Sequence, residues 1–569
     1  MRIQGVFTIT GIACLVALVA VAAGCTSDPG TVALTGTVSS QEEGQMEGVV
    51  VSARRETANF TVSVVSDAAG HYSFPRTHLV PGRYNLTTRA VGYDLVEAGS
   101  VEVPADGPGS RDLQLQETED LASQLTSVEW VMSMPGTTEQ KDRLVYRALS
   151  CAYCHTFKRI MHSKLSAEQL DKAMHRMQEY YPDGTAVSDD NRGRAQQELT
   201  YGGSLGNPTK PRVESNEEGP SYWGKEISEY LASVNLSGGR TTWDFEFKTL
   251  PRPTGKSTRV IITEWDMPRR DTVSHDSIVD SKGQLWYGDE SRQFVSKLDP
   301  QTNTITEYPL PSVPADSLAG ARDILVDKDD NVWFPLRIGG GASPVHKFEP
   351  ETQKLTKVDG AFGQFIAIGG DGKIWTGTTT FHRVDPTTMK KDASFNWSES
   401  PNAPKMIACY QLSADSKGNP WCTGYFGSYI INVDAQSGEA RFWSTPTPSA
   451  MPRRNKMDAQ DRYWFAQYTA DKVGMFDTRT EKFQEWSLPH KYTTPYATSE
   501  PDKYGRVYVS SNMTERLARV DTNTGEVVEY LMPGNFDSKK IWVDPSADRP
   551  AVMMVNTRAA RILRVEPLD

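Results

Sequence analysis

Beyond residue 23 the chain has no long apolar run. A membrane-crossing helix needs about 20 apolar residues, so none is expected in the remainder. Basic charge is in short supply too: 61 Lys and Arg stand against 72 Asp and Glu, a net charge of -11. That balance gives no reason to propose a nucleic acid as partner. No nicotinamide-binding glycine fingerprint is present in the C-terminal half. Cysteine is scarce, with six in 569 residues, and only one C-x-x-C occurs. A lone C-x-x-C argues against a zinc knuckle, which draws its ligands from two such pairs. At this length three or four domains are expected, fewer if one is large and β-rich.

What is present at that single pair is Cys151-Ala152-Tyr153-Cys154-His155. This is the attachment pattern of a c-type haem. Two thiols two residues apart can add across the two vinyl groups of one haem, and the adjacent imidazole then lies under the iron. One covalent haem c is therefore expected, bound by Cys151, Cys154 and His155. Its attachment happens outside the cytoplasm, so the chain is expected to be exported.

The N-terminus points to the same compartment. Met1-Arg2 is a short positive start, Val6 to Ala23 is apolar, and Ala22-Ala23-Gly24-Cys25 follows. That order reads as a signal peptide over residues 1–24. It resembles the lipobox of bacterial lipoproteins, with Ala22 where Leu is usual. The resemblance implies lipidation of Cys25 and a membrane anchor. Without Asp directly after Cys25, it implies outer-membrane sorting, facing the periplasm or the cell surface. Residues 25–30 form a polar linker. With Cys14 removed in the signal, only Cys409 and Cys422 remain unassigned, either as a disulfide or as two small core residues.

Residues 31–116 alternate in the manner of strands, separated by turn signals at Asp67-Ala68-Ala69-Gly70 and Pro81-Gly82. A small β-sandwich follows. The succession Gly70-His71-Tyr72-Ser73-Phe74, Pro81-Gly82-Arg83-Tyr84 and Gly92-Tyr93 resembles the carboxypeptidase regulatory-like, transthyretin-type domain. The resemblance implies an accessory module, and His71 and His78 read as turn or surface residues.

Residues 118–239 read as helical. Ser166-Ala167-Glu168-Gln169 is a capping box, and Leu170, Met174, Met177 and Tyr181 recur at helical spacing. A second amphipathic stretch, Tyr222 to Val234, resembles the C-terminal helix of small c-type cytochromes. In that resemblance Arg176-Met177 occupies the position of the sixth ligand. Met177 is the expected axial partner of His155, with Met174, another ligand or an open position as alternatives. Residues 240–254, with Pro251 and Pro253, read as a linker.

From residue 255 onward the chain repeats. Turn-plus-Trp signals end at Trp286, Trp333, Trp375, Trp421 and Trp464, a sixth has Tyr508 in the Trp place, and a weak seventh spans Trp542 to Met554. Steps of this length mean a β-propeller. Val260 to Trp265 precedes the first inner strand, so it is expected to complete the last blade and close a ring of seven. The expected fold is thus multidomain: a β-sandwich, an α-helical cytochrome c domain and a seven-bladed β-propeller.

Register across the repeats gives a functional column. Eleven residues before each Trp stand His275, Arg322, Gln364, Tyr410 and Arg453, with Ala497 and Lys540 in the weaker blades. Cations, a His and a Tyr converging on one channel mouth favour an anionic ligand. The repeats, together with Asp299-Pro300-x-Thr302 leading to Tyr308, resemble the streptogramin B lyase (virginiamycin B lyase-like) family. In that resemblance His275 matches the catalytic base and Asp289 the later acid, which implies Mg2+ (or Ca2+) in the propeller. Val273 stands where an earlier Glu belongs, so the resemblance implies the fold and not the reaction. The function expected is haem-mediated electron transfer, fed by a redox partner protein or a small-molecule donor, with the propeller binding a small molecule or partner. The alternatives are a lyase or hydrolase with the haem unit as redox sensor, and a non-enzymatic surface binding protein.

Overall fold

The structure is a computed structural model. It describes residues 32–146, 155–180, 224–270, 272–289, 294–310, 319–338, 343–404, 409–424 and 428–569. Cys25, Cys151 and Cys154 lie outside the described residues, as do the signal peptide and its linker.

Residues 32–117 form the N-terminal sandwich. Strand Val32–Ser40 pairs antiparallel with His71–Pro75 and parallel with Leu113–Glu117. The second sheet carries Val50–Arg55 between Phe60–Val65 and Gly82–Arg89. Alternate residues point inward, so Leu34, Val51, Val62, Phe74, Leu86 and Leu115 share one core.

Seven four-stranded units follow, and together they make a propeller-like ring. Blade 1 comprises Ser274–Val279, Leu285–Asp289, Phe294–Asp299 and Thr304–Pro309. The innermost strands of blades 3 to 6 are Phe365–Ile368, Cys409–Ala414, Pro452–Met457 and Pro495–Thr498. Blade 2 starts with two short pieces, Ala319–Ala321 and Leu325–Val326. Blade 7 takes Ile541–Val543, Val552–Asn556 and Arg561–Pro567 from the C-terminus, and Val260–Asp266 then pairs with Arg561–Pro567 as its outermost strand. The ring therefore closes with an N-terminal strand, as its sequence position requires.

The repeated turn has a chemical cause. Asp280 accepts the backbone N–H of Lys282 and Gln284 and the indole N–H of Trp286 at 2.9 Å. Asp327, Asp415 and Asp458 hold Trp333, Trp421 and Trp464 in the same way. Blade 3 has Gly369 in place of the Asp, and Trp375 donates to the Gly418 carbonyl of the next blade instead. One carboxylate thus fixes a tight turn and orients the largest core side chain.

Closure does not leave blade 7 with an open edge, because the sandwich covers it. Phe60–Val65 pairs antiparallel with Val260–Asp266, so one eight-stranded sheet runs from the propeller into the sandwich. Arg54 with Asp266 and His78 with Glu566 reinforce the seam. An edge strand is a template for unwanted pairing; here it is occupied within the chain.

Six helices are described: α1 (Leu121–Gln124), α2 (Ser127–Ser133), α3 (Thr138–Tyr146), α4 (Phe157–Met161), α5 (Ala167–Tyr180) and α6 (Gly224–Val234). The expected separate helical domain is corrected here. Trp130, Leu144, Phe157, Met161 and Leu231 share a single core with Tyr492 and Met513 of the propeller. Val128 N–H donates to the Met513 carbonyl at 3.0 Å, Tyr146 donates to Asp471, and Tyr492 donates to Asp142 at 2.8 Å. The expected linker is also corrected. Trp243, Phe245 and Phe247 pack into the helical core, and Leu250 N–H donates to buried Glu129 at 2.7 Å. Alternating aromatics make residues 243–250 a packed strap. Among the described residues no helix is long and apolar enough to cross a membrane.

Candidate functional site

The innermost strands of blades 1, 4, 5 and 6 share an irregularity. Their register with the second strand shifts between Ser274 and Ser277, Cys409 and Leu412, Pro452 and Asn455, and Pro495 and Thr498. In a regular strand successive side chains face opposite ways. A bulge re-aims one of them. Two consecutive residues can then be used on the channel side, and the sequence supplies charged or polar pairs there: His275-Asp276, Tyr410-Gln411 and Arg453-Arg454.

These residues meet across the ring. Arg454 of blade 5 donates two hydrogen bonds to Asp276 of blade 1, both at 3.0 Å, in the bidentate arrangement that suits guanidinium and carboxylate. Lys540, just ahead of the blade 7 inner strand, bonds Asp323 of blade 2 at 2.7 Å. His275 Nδ1 lies 2.5 Å from Asp276 Oδ1, and Nε2 has no hydrogen-bond partner among the described residues. A second layer joins blades 4, 5 and 6. Tyr410 and Tyr496 share a hydrogen bond between their hydroxyls, Arg453 donates to Tyr410 at 3.2 Å, and the Arg453 guanidinium lies 4.0 Å above the Tyr468 ring. Lys539 bonds Asp537 at 2.7 Å and lies over Tyr496.

The expected column is thus partly assembled and partly corrected. His275 and Arg453 are 0% exposed, Tyr410 6% and Arg322 7%. They form a buried plug of ionic and phenolic groups, not an open rim. Gln364 does not join it, because it is exposed on the surface. Its neighbour Phe365 faces the cations instead, under Arg322 and Arg454. Asp289 pairs with Ser274, accepts the Val273 N–H at 3.2 Å and binds Arg269 at 3.1 Å. Its Arg269 contact is that of a structural carboxylate. Among the described residues no group of three or more His, Cys, Asp or Glu side chains could hold a metal ion, so the expected Mg2+ or Ca2+ finds no ligand set there. Asp276, Asp323, Arg454, Lys539 and Tyr496 were missed by reading a single column. The adjacent pairs His275-Asp276, Arg322-Asp323, Arg453-Arg454 and Lys539-Lys540 were the available signal.

The electrostatics follow from burial and sign. Desolvation, with Arg322, Arg454 and Lys539 nearby, lowers His275 well below its ordinary value, so its imidazole is neutral. Burial pushes Tyr410 up, but Arg453, Arg454 and Arg322 outweigh it and bring the phenol down to about 8. Burial raises Tyr496 well above the usual range, and the charge on Tyr410 adds to the effect. A depressed buried phenol reports a positive local potential. We expect near-UV absorbance to show one phenol ionising near pH 8. A tyrosine in the unfolded chain titrates at about 10. Ionised Tyr410 therefore stabilises the fold fully above pH about 10, and that contribution is lost as pH falls through about 8. Arg453→Ala should move the titration upward. Absence of any phenol ionising below its ordinary range would contradict this picture.

The helical unit adds a second site. His155 is 5% exposed, and its Nδ1 bonds the Thr156 carbonyl at 3.0 Å. That bond puts the proton on Nδ1 and makes Nε2 the lone-pair nitrogen, as a metal-ligating imidazole requires. Phe157, Met161 and Leu231, from the neighbouring helices, belong to the helical core. Met177 lies on α5, but its side chain is outside the described set. The unit docks on the connections that hold Asp471, Tyr492 and Met513. In a four-stranded antiparallel blade those connections lie at the same end as the start of the inner strand. The helices therefore sit on the face where Arg453 and Tyr410 enter the channel.

Cys409 and Cys422 form a disulfide between the first two strands of blade 4, which resolves the two readings left open by the sequence.

The described residues define a sandwich joined edge to edge with a seven-bladed propeller-like ring that carries a helical unit on one face. The N-terminal unit is a carboxypeptidase regulatory-like domain, which matches at residues 33–116. No curated protein matches the chain in sequence. Among solved structures, virginiamycin B lyase from Staphylococcus aureus aligns at 18% identity with a TM-score of 0.46, over 54% of this chain and 99% of its own. A streptogramin B lyase structure gives 18% and 0.46 over 55% and 99%. A chain of the mitotic checkpoint complex gives 8% and 0.42 over 58% and 98%.

Proposed function

We propose that this chain is an exported, lipid-anchored c-type cytochrome whose propeller binds an anionic molecule or an acidic partner segment. The observation that carries the haem reading is the setting of His155. It directly follows the two motif cysteines, it is buried, and its Nδ1 bond orients Nε2 as the ligand nitrogen. Covalent haem supplies one-electron oxidation and reduction at that position when bound. Cys151 and Cys154 would hold it covalently, with His155 and Met177 as its iron ligands. Cys25 would tether the chain to a membrane, probed by loss of lipid labelling in Cys25→Ala. The disulfide of blade 4 supports an oxidising compartment.

Met177→Ala should keep the covalent haem but lose the Met–iron charge-transfer band and lower the potential, because Met ligation raises it. Survival of the band there, with loss only in Met174→Ala, would move the assignment to Met174.

The anion reading rests on Arg322, Arg453 and Arg454 near Tyr410, whose phenol they depress. Guanidiniums suit a carboxylate or phosphate held bidentately. Arg322→Ala combined with Arg453→Ala should abolish salt-sensitive anion binding measured by calorimetry while the haem spectrum stays unchanged. Unchanged binding would leave the channel as a structural plug only.

One observation favours a second reading, a lyase or hydrolase. His275 is neutral, its Nδ1 lies against Asp276 and, at 3.1 Å, Arg454, and its Nε2 is without a partner among the described residues. That is the arrangement of an oriented general base. Turnover of cyclic ester substrates, lost in His275→Ala, would support it over electron transfer.

A further inference from the structure

A cleft of about 740 Å3 opens where the three units meet. The sandwich supplies Leu86 to Val91, Tyr93 to Leu95 and Ala98, the helical unit supplies Ser123 to Leu125 with Thr156 and Lys158, and the propeller supplies Glu515, Gly534 and Asn535. This size is that of a small-molecule site.

The charges on its wall are already engaged. Arg89 pairs with Glu515 and donates to the carbonyls of Met532 and Gly534, at 2.6 and 2.9 Å for the latter two. Lys158 Nζ donates to the Ser123 carbonyl at 2.8 Å, and Asp94 accepts from Gln124 at 2.8 Å. A charged ligand would have to displace one of these bonds and leave its former partner unpaired, which is costly. The rest of the lining that the charges do not occupy is apolar or neutral, with Leu86, Leu95 and Leu125 against Thr87 and Thr88. The cleft also touches Thr156, whose carbonyl holds His155 Nδ1. An occupant lies one peptide away from the ligand histidine of the proposed haem.

We propose that this cleft binds an uncharged small molecule carrying carbonyl or hydroxyl groups, and seats it beside the His155 segment. It is distinct from the channel, where Arg322, Arg453 and Arg454 crowd one phenol. The binding claim stands on the cleft; its relevance to electron transfer rests on the haem reading above.

The test is calorimetric titration of the full-length protein with menadione as the neutral probe and 1,4-naphthoquinone-2-sulfonate as its anionic counterpart. Menadione should bind, and the sulfonate should not compete for its site. Ala98→Trp, which fills the exposed side of the cleft, should weaken menadione binding at least tenfold. Thr87→Asp, which adds a charge to the wall at an exposed position, should do the same and serves if the first variant fails to fold. Both should leave the haem spectrum unchanged. No menadione binding, equal binding by both variants, or competition by the sulfonate would overturn the proposal. A missing haem with intact menadione binding would instead overturn the cytochrome reading and leave the cleft assignment standing.

Discussion

Asp276→Ala is expected to lower the stability of the propeller by about 3–5 kcal/mol, the cost of breaking a buried ion pair from one side. The Arg454 side chain is 2% exposed and places both of its terminal nitrogens on the Asp276 carboxylate. Removing the carboxylate leaves a guanidinium in the channel with its main counter-charge gone, next to Lys540, which lies 3.7 Å from the same carboxylate. His275 loses its carboxylate partner at Nδ1 as well and keeps there only the Arg454 contact at 3.1 Å. The effect should be much smaller when both charges are removed together, as in Asp276→Leu with Arg454→Met, because matched apolar groups can replace a buried pair at little cost. Equilibrium denaturation of the two single variants and the double variant gives the coupling directly. If Asp276→Ala costs no more than a surface pair, about 1 kcal/mol or less, the channel is wetter than this account requires.

Cys151→Ala with Cys154→Ala should eliminate covalent haem entirely. A thioether forms from a thiol, and the chain has only four other cysteines. Cys409 and Cys422 are consumed by their own disulfide, while Cys14 and Cys25 precede the sandwich. Denaturing electrophoresis with haem staining reads this out. The propeller disulfide and the sandwich seam should survive, so a folded, colourless protein is the expected product. Retained covalent haem would show that another residue carries the attachment.

The propeller was legible because its signal is local and repeated. One Asp accepts the indole of a Trp six residues later in four blades, and that spacing is visible without a structure. Ring closure by Val260–Asp266 was legible for the same reason, since the strand pattern lacked an inner partner ahead of it. The column at the channel was read one residue deep. Strand alternation assigns only His275, Tyr410 and Arg453 to the channel, and the bulge that brings Asp276 and Arg454 inward shows itself only in the register with the neighbouring strand. Blade 3 has no such charged pair, and Gln364 there is exposed. Pairing of Phe60–Val65 with Val260–Asp266 had no local signal, because about 200 residues separate the two strands. The strap over residues 243–250 was misread because Pro251 and Pro253 outweighed the alternation of Trp243, Phe245 and Phe247, whose burial depends on α2 being there to receive them.

The docking of the helical unit ties the two proposed sites together. Tyr146, Asp142 and Val128 grip connections that open onto the channel mouth, so a molecule bound by Arg453 and Tyr410 would face the unit that holds His155.

The measurement that tests the central claim most directly is a reduced-minus-oxidised absorption spectrum of the purified full-length protein, followed by pyridine haemochrome quantitation. The account predicts one low-spin c-type haem per chain, remaining attached after denaturation. A spectrum without haem bands, from protein expressed with haem-maturation machinery and shown to be folded, would contradict it.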